Sequence, residues 1–142
     1  MISLREMMTT QPITLGPKEP VSKAVSIMYE NRIRHLPIVG KDQELLGLIT
    51  QRDILVAASS DNIIEWTGDL MRKKVRSVTE DADLRGAAVI MQRYKIGCLP
   101  VVRDEKIVGI ITETDYVAIA INLLEQMELF ESEEDEEFSD EG

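Results

Sequence analysis

Two stretches of this chain carry the same pattern. Residues 34–54 read RHLPIVGKDQELLGLITQRDI and residues 97–116 read GCLPVVRDEKIVGIITETDY. Each runs Leu-Pro, two β-branched residues, a polar turn, Gly, two apolar residues, Thr, two further residues and Asp. The duplication continues upstream. Met8 matches Met71, ITL at 13–15 matches RSV at 76–78, VSKAVSIM at 21–28 matches LRGAAVIM at 84–91, and IRHLPIV at 33–39 matches IGCLPVV at 96–102. The offset is 63 residues up to Val39 and 62 in GLITQRD (47–53) against GIITETD (109–115). The single deletion falls in the polar turn, where a repeat tolerates one.

Each copy has the same local grammar. A short extended piece (13–15, 76–78) precedes a helix. In the first copy Val21, Ala24, Val25 and Met28 recur at helical spacing behind Pro20, and in the second the helix spans about 84–94. HLPIV and CLPVV are nearly continuous apolar runs, as buried strands are. Tight polar turns lead from them into LLGLI and IVGII, which makes each pair a hairpin. A second helix starts near Thr50 and near Thr112, the latter running long through YVAIAINLLEQMELF. The expected fold class is α+β, with two β-α-β-β-α repeats packed sheet to sheet about a pseudo-twofold axis. One repeat of about 60 residues has too small a core to stand alone comfortably; two can each cover the other's apolar face. The expected divisions are 1–66 and 67–130 for the repeats and 131–142 for an acidic tail.

Charge sets that tail apart. The formal net charge of the 142 residues is −10, yet nine of the 26 acidic residues lie from Glu128 onward, with no basic residue among them. The preceding 127 residues carry 17 acidic against 16 basic side chains and are nearly neutral. A run with little to bury and strong self-repulsion is expected to be disordered beyond about Glu131 and to act mainly as a solubilising tail. No apolar run approaches the roughly 18 residues of a membrane span, and the N-terminus MISLREMMTT does not read as a signal peptide. A single cysteine, Cys98, allows no intramolecular disulfide, and together these features suggest a cytoplasmic protein.

The repeated Leu-Pro strand and Gly-h-h-Thr-x-x-Asp, where h is apolar, resemble a tandem pair of CBS domains (the cystathionine-β-synthase motif), together called a Bateman module. The resemblance covers about residues 5–127. It implies a non-catalytic regulatory module that binds an adenosine ligand, commonly AMP, ADP or ATP and sometimes S-adenosylmethionine, with no required cofactor. It also implies pairing into a homodimer through the helices and action on a target protein that the sequence does not name. The family's clefts mix the two repeats. One would take Ile13, Thr14, Ile33 and Arg34 with Ile110, Thr112, Thr114 and Asp115. The other would take Arg76, Ser77, Ile96 and Gly97 with Leu48, Thr50, Arg52 and Asp53.

The residue chemistry suits such a ligand. A helix beginning at Thr50 or Thr112 offers unpaired N–H groups and a positive dipole end to phosphate. The Asp three residues on offers two acceptor oxygens, suited to the paired hydroxyls of a ribose. Ile13, Ile33 and Ile96 can flank a base. Thr-x-x-Asp is equally the pattern of a helix capping box, and both readings stay open at this point. The second cleft has Gly97 where the first has Arg34, and RKKVR at 72–76 brings Arg72, Lys73, Lys74 and Arg76 near it, so it is roomier and more basic.

Other classes fit less well. His35 and Cys98 could form a catalytic pair, but they occupy the same position in the two repeats, which explains their alignment without catalysis. There is no Gly-rich phosphate loop and no nucleophile elbow, so an enzyme is not expected. For nucleic acid, a near-neutral core offers one basic cluster and few aromatics for stacking, and the acidic tail repels phosphate. A nucleic-acid-binding protein of the same fold, and a structural dimerisation module with empty clefts, are the alternatives.

Overall fold

The computed structural model describes residues 1–140, with side chains as far as Asp135. The chain divides into two compact units, Met1–Ile111 and Thr112–Gly142. In chain order the elements are β1 (Thr9–Thr10), α1 (Val21–Asn31), β2 (His35–Val39), β3 (Leu45–Thr50), α2 (Gln51–Ala58) and α3 (Thr67–Leu70). There follow β4 (Val78–Thr79), α4 (Leu84–Tyr94), β5 (Cys98–Arg103), β6 (Lys106–Thr112) and α5 (Glu113–Asp140).

The α+β class and the repeated β-α-β-β-α order are as the sequence predicts. The two hairpins, β2–β3 and β5–β6, are antiparallel. Each accepts the strand preceding its helix in parallel: Val78 pairs with Val101, and its repeat mate Leu15 bridges Ile38. The helices form for local reasons. α1 buries Ala24 and Met28 one turn apart, and α4 buries Ala87 and Met91 at the matching positions. Asp83 caps α4 by accepting from the Gly86 N–H at 3.3 Å. Both helices end on a non-glycine residue in the left-handed region, Arg32 at φ 54° and Lys95 at φ 53°.

The first segment of each repeat belongs to the other repeat's sheet. Thr9 and Thr10 of β1 pair antiparallel with Ile110 and Gly109 of β6. The mate of that contact is the antiparallel bridge between Arg72 and Leu48 of β3, with hydrogen bonds of 2.9 and 3.0 Å. Leu4 N–H donates to the Ala82 carbonyl at 3.0 Å, and its mate Thr67 donates to Glu19 at 2.9 Å. The pseudo-twofold axis passes through the bridge between Glu44 and Lys106, themselves repeat mates. Leu45 N–H donates to the Glu105 carbonyl and Ile107 N–H to that of Gln43, each at 3.0 Å. Leu48 from one sheet packs with Cys98 and Ile110 from the other.

This exchange explains why the repeat boundary at 66/67 is not a boundary of compactness. It also explains the glycine of Gly-h-h-Thr. A Cβ on Gly47 would lie 2.7 Å from the Arg72 carbonyl oxygen and 2.6 Å from Met71 Sδ. One on Gly109 would lie 3.0 Å from the Thr9 carbonyl oxygen and 2.6 Å from Met8 Sδ. The crossing strand approaches too closely for any side chain there.

α5 runs as helix to Asp140, across residues 131–140 whose charge run leads to an expectation of disorder. Glu is a good helix former, and no Gly or Pro interrupts the helix before Asp140. The last two residues of the acidic tail, 141–142, lie outside the described residues.

Candidate functional site

A concave site lies within the unit 1–111, where the end of β3 and the start of α2 face the second repeat. It encloses about 460 Å³, the size range of small-ligand pockets. From the first repeat come Leu48, Thr50 and Arg52, and from the second Arg76, Ile96 and Gly97, six of the eight residues expected there. Its buried members are apolar, Leu48 and Cys98, with Val75 and Ile96 half-buried; its exposed members are five cations and Tyr94.

Asp53 stands at the edge of this group with its carboxylate already engaged. Its Oδ2 accepts from the Thr50 backbone N–H at 2.9 Å and the Thr50 hydroxyl at 2.8 Å, and Thr50 Oγ1 accepts from Asp53 N–H at 3.2 Å, which closes a capping box. Its Oδ1 accepts from Arg72 Nε at 2.9 Å. Arg72 reaches it because its backbone is the segment paired with Leu48. The capping alternative is therefore realised here, and a ribose would exchange with the Arg72 contact rather than find an idle carboxylate. Ser77 is not brought into the cleft; it lines a neighbouring cavity with Lys73 and Glu44. It follows Arg76 by one residue, and successive side chains of an extended segment point to opposite sides; Val75, two residues before Ser77, borders both cavities.

Two lining residues were not legible in the motif. Tyr94 ends α4, and Lys95 is that helix's left-handed cap. The Arg76 guanidinium lies over the Tyr94 ring, 3.3 Å from its centroid, a cation–π contact that positions both. The signal was the helix end itself, immediately before the matched Ile96-Gly97. His35 and Cys98 both border the cleft, and Cys98 is buried among Leu48 and Ile110 rather than presented as an exposed nucleophile.

The residues expected in the other cleft fall in both compact units. In 1–111, Ile13 is exposed, Thr14 lines an open cavity beside Gly16 and Lys41, and Ile33 packs on the core of Leu36 and Ile49. Arg34 is exposed, with its carbonyl accepting from Gln51 N–H at 2.9 Å, and Ile110 is buried. In 112–142, Asp115 Oδ2 accepts from Thr112 N–H at 2.8 Å and from its hydroxyl at 3.3 Å, while Thr114 is exposed. Among the described residues, no group of three or more His, Cys, Asp or Glu could hold a metal, and no helix is long and apolar enough to cross a membrane.

The CBS domain family model matches residues 4–60 and again 68–122. This chain belongs to the CBS domain family. Its similarity covers most of the length of several known chains. A solved structure from Vibrio cholerae, carrying the name acetoin utilization protein (AcuB), is 44% identical. It superposes with a TM-score of 0.82 over 90% of this chain and 96% of that one. The CBS domain pair of protein MJ0100, solved with 5-methylthioadenosine and S-adenosyl-L-methionine, is 28% identical with a TM-score of 0.80, covering 86% of this chain and 98% of that one. Hypoxic response protein 1 of Mycobacterium tuberculosis is 31% identical over 118 residues, 81% of this chain and 82% of that protein. By contrast, the chain spans only 23% of a homoserine O-acetyltransferase from Methanococcus vannielii, at 33% identity, so the match is to one part of that enzyme.

Proposed function

We propose that this CBS pair is a non-catalytic, cytoplasmic sensor of adenine nucleotides, AMP, ADP or ATP, acting as a homodimer on a target protein. The observation that carries the reading is the cleft of about 460 Å³ where Leu48, Thr50 and Arg52 of one repeat meet Arg76, Ile96 and Gly97 of the other. Apolar side chains there can flank a base, the α2 N-terminus and the cations can meet phosphate, and Asp53 can accept from ribose hydroxyls. The similar MJ0100 pair holds adenosine compounds, which supports the ligand class.

Self-association is supported by α5. Val117, Ile121, Leu124 and Met127 lie along one side of it and are all more than half exposed. A second copy presents the same stripe, and a twofold pair is self-complementary by construction. A thermal-shift panel of AMP, ADP, ATP, GTP and S-adenosylmethionine, with and without magnesium, tests the ligand class. At least one adenosine compound should raise the melting temperature; no shift with any of them would leave a structural dimer module as the reading.

A further inference from the structure

The structure assigns to this cleft a selection by charge: it favours an adenosine ligand bearing a triphosphate chain over a monophosphate, and disfavours a cationic sulfonium ligand. This rests on the reading above and names the ligand class within it.

Five cationic side chains line the cleft, Arg52, Arg72, Lys74, Arg76 and Lys95, and no acidic residue is among the described residues that line it. Among the described residues only Arg72 of these five has a carboxylate partner, Asp53 at 2.9 Å. Among the described residues Arg52, Lys74 and Lys95 have no acidic partner, and Arg76 rests on the Tyr94 ring. The N-terminal end of α2, between Thr50 and Arg52, adds its dipole in the same sense.

The repeat provides an internal reference. The mates of Arg52, Arg72, Lys74 and Arg76 are Thr114, Thr9, Gln11 and Ile13, all uncharged, and only Lys95 has a cationic mate, Arg32. The fold therefore does not require cations at these positions. They are a property of one repeat junction. Lys95 is the exception, since its mate Arg32 is likewise a cationic left-handed helix cap.

A single phosphate brings about −1.5 to −2 charges, and each further phosphate in a chain adds about one more. A monophosphate leaves most of these cations uncompensated, and a triphosphate can meet four of them. A sulfonium such as that of S-adenosylmethionine, a ligand in the similar MJ0100 pair, adds a positive charge to an already positive cleft.

The test is isothermal titration of the full chain at about 0.15 M salt with AMP, ADP, ATP, S-adenosylmethionine and inorganic tripolyphosphate. Affinity should rise from AMP through ADP to ATP by about tenfold or more overall, with S-adenosylmethionine weakest and tripolyphosphate competing with ATP. Lys74→Gln/Arg76→Gln should weaken ATP about 10- to 100-fold and AMP less than about fivefold. Lys95→Gln should act in the same direction, and Lys23→Gln, on exposed α1, should do neither. Circular dichroism melting of each variant separates lost binding from lost folding. Equal affinity for AMP and ATP, or tighter binding of S-adenosylmethionine, overturns the selection by charge and leaves the adenosine reading standing. Absence of binding by every adenosine compound overturns that reading, and the selection with it.

Discussion

An alanine at position 47 would bring its Cβ within 2.7 Å of the Arg72 carbonyl oxygen, where backbone cannot give way without loosening the strand crossing. Gly47→Ala should therefore destabilise the protein by about 1–3 kcal/mol in urea unfolding. Gly16 has nothing within 4 Å of the same hypothetical atom, so Gly16→Ala should be neutral or stabilising by about 0.4–1 kcal/mol through the unfolded chain. Equal costs at the two positions would mean that close approach is not what selects glycine at 47. Asp53 separates two roles at one carboxylate. Loss of the capping box in Asp53→Ala should cost about 0.5–2 kcal/mol without ligand. Loss of a ribose contact should also remove most of the ligand-induced stabilisation, about 2.7 kcal/mol in wild type when ligand stands at 100 times its Kd. Melting with and without saturating ATP reads both; a variant that is weaker without ligand yet keeps the full ligand shift would make Asp53 a cap alone. Thr50, Asp53 and Arg76 could be picked out in advance because they sit inside or beside a repeated motif. Tyr94 and Lys95 could not. They enter the cleft through the geometry of a helix end, and nothing in their spacing announces it.

The elements were legible because their apolar periods are strong: α4 occupies the span expected from LRGAAVIM, and both hairpins turn where the polar residues stand. What was not legible was which sheet each repeat's opening strand would join, because two-residue β1 and the single bridge at Arg72 carry no apolar pattern of their own. Just after β4, a small charge network ties the N-terminus to the second repeat. Glu80 is buried, its carboxylate takes Arg103 and, at 3.5 Å, Arg5, and its carbonyl accepts from Ser3 Oγ at 3.1 Å. The Arg103 hydrogen bond, aided by the Arg103 and Arg5 charges and opposed by burial, holds the Glu80 carboxyl below its ordinary 4.5. A depressed carboxyl stabilises the fold fully above its ordinary pKa and loses that contribution as pH falls through the folded value. Wild type should thus be more stable than Glu80→Gln at neutral pH, with the gap in melting temperature closing below pH 4.5; a gap independent of pH would assign the difference to shape rather than charge. At the other extreme, α5 carries acidic residues four apart, Glu131 and Asp135, and such like-charge pairs weaken a helix at neutral pH. Amide exchange should be faster in 131–140 than in 117–127, and helix content should rise on acidification. Uniform protection along α5 would show that the acidic turns are held by something other than their own propensity.

At the scale of the whole molecule, the duplication could be read as a way to cover two half-cores, but the structure makes the dependence stricter. Each repeat lends its opening strand to the other. β1 is an edge of the sheet formed by β6 and β5, and Arg72 bridges the edge of β3. Leu4 and its mate Thr67 are both fully buried, each hydrogen-bonded to the opposite repeat, and Thr67 Oγ1 adds a 2.6 Å bond to the Gly16 carbonyl. Cutting the chain at 66/67 leaves residues 1–66 with the edge of β3 unpaired, Leu48 stripped of Cys98 and Ile110, and Leu4 exposed. A segment that small buries too little to offset the entropy of ordering it. Two outcomes are physically open to it: it stays unfolded, or two copies associate and exchange opening strands as the tandem repeats do. Both are concentration-dependent statements, since a fragment that folds only on pairing gains stability with protomer concentration. Circular dichroism and light scattering of residues 1–66 across a dilution series should therefore show an unfolded monomer or a folded dimer that melts on dilution. Adding residues 67–130 should restore folded signal in equimolar complex. A folded monomer of residues 1–66, stable on dilution, would show that the strand exchange is not what holds each repeat together.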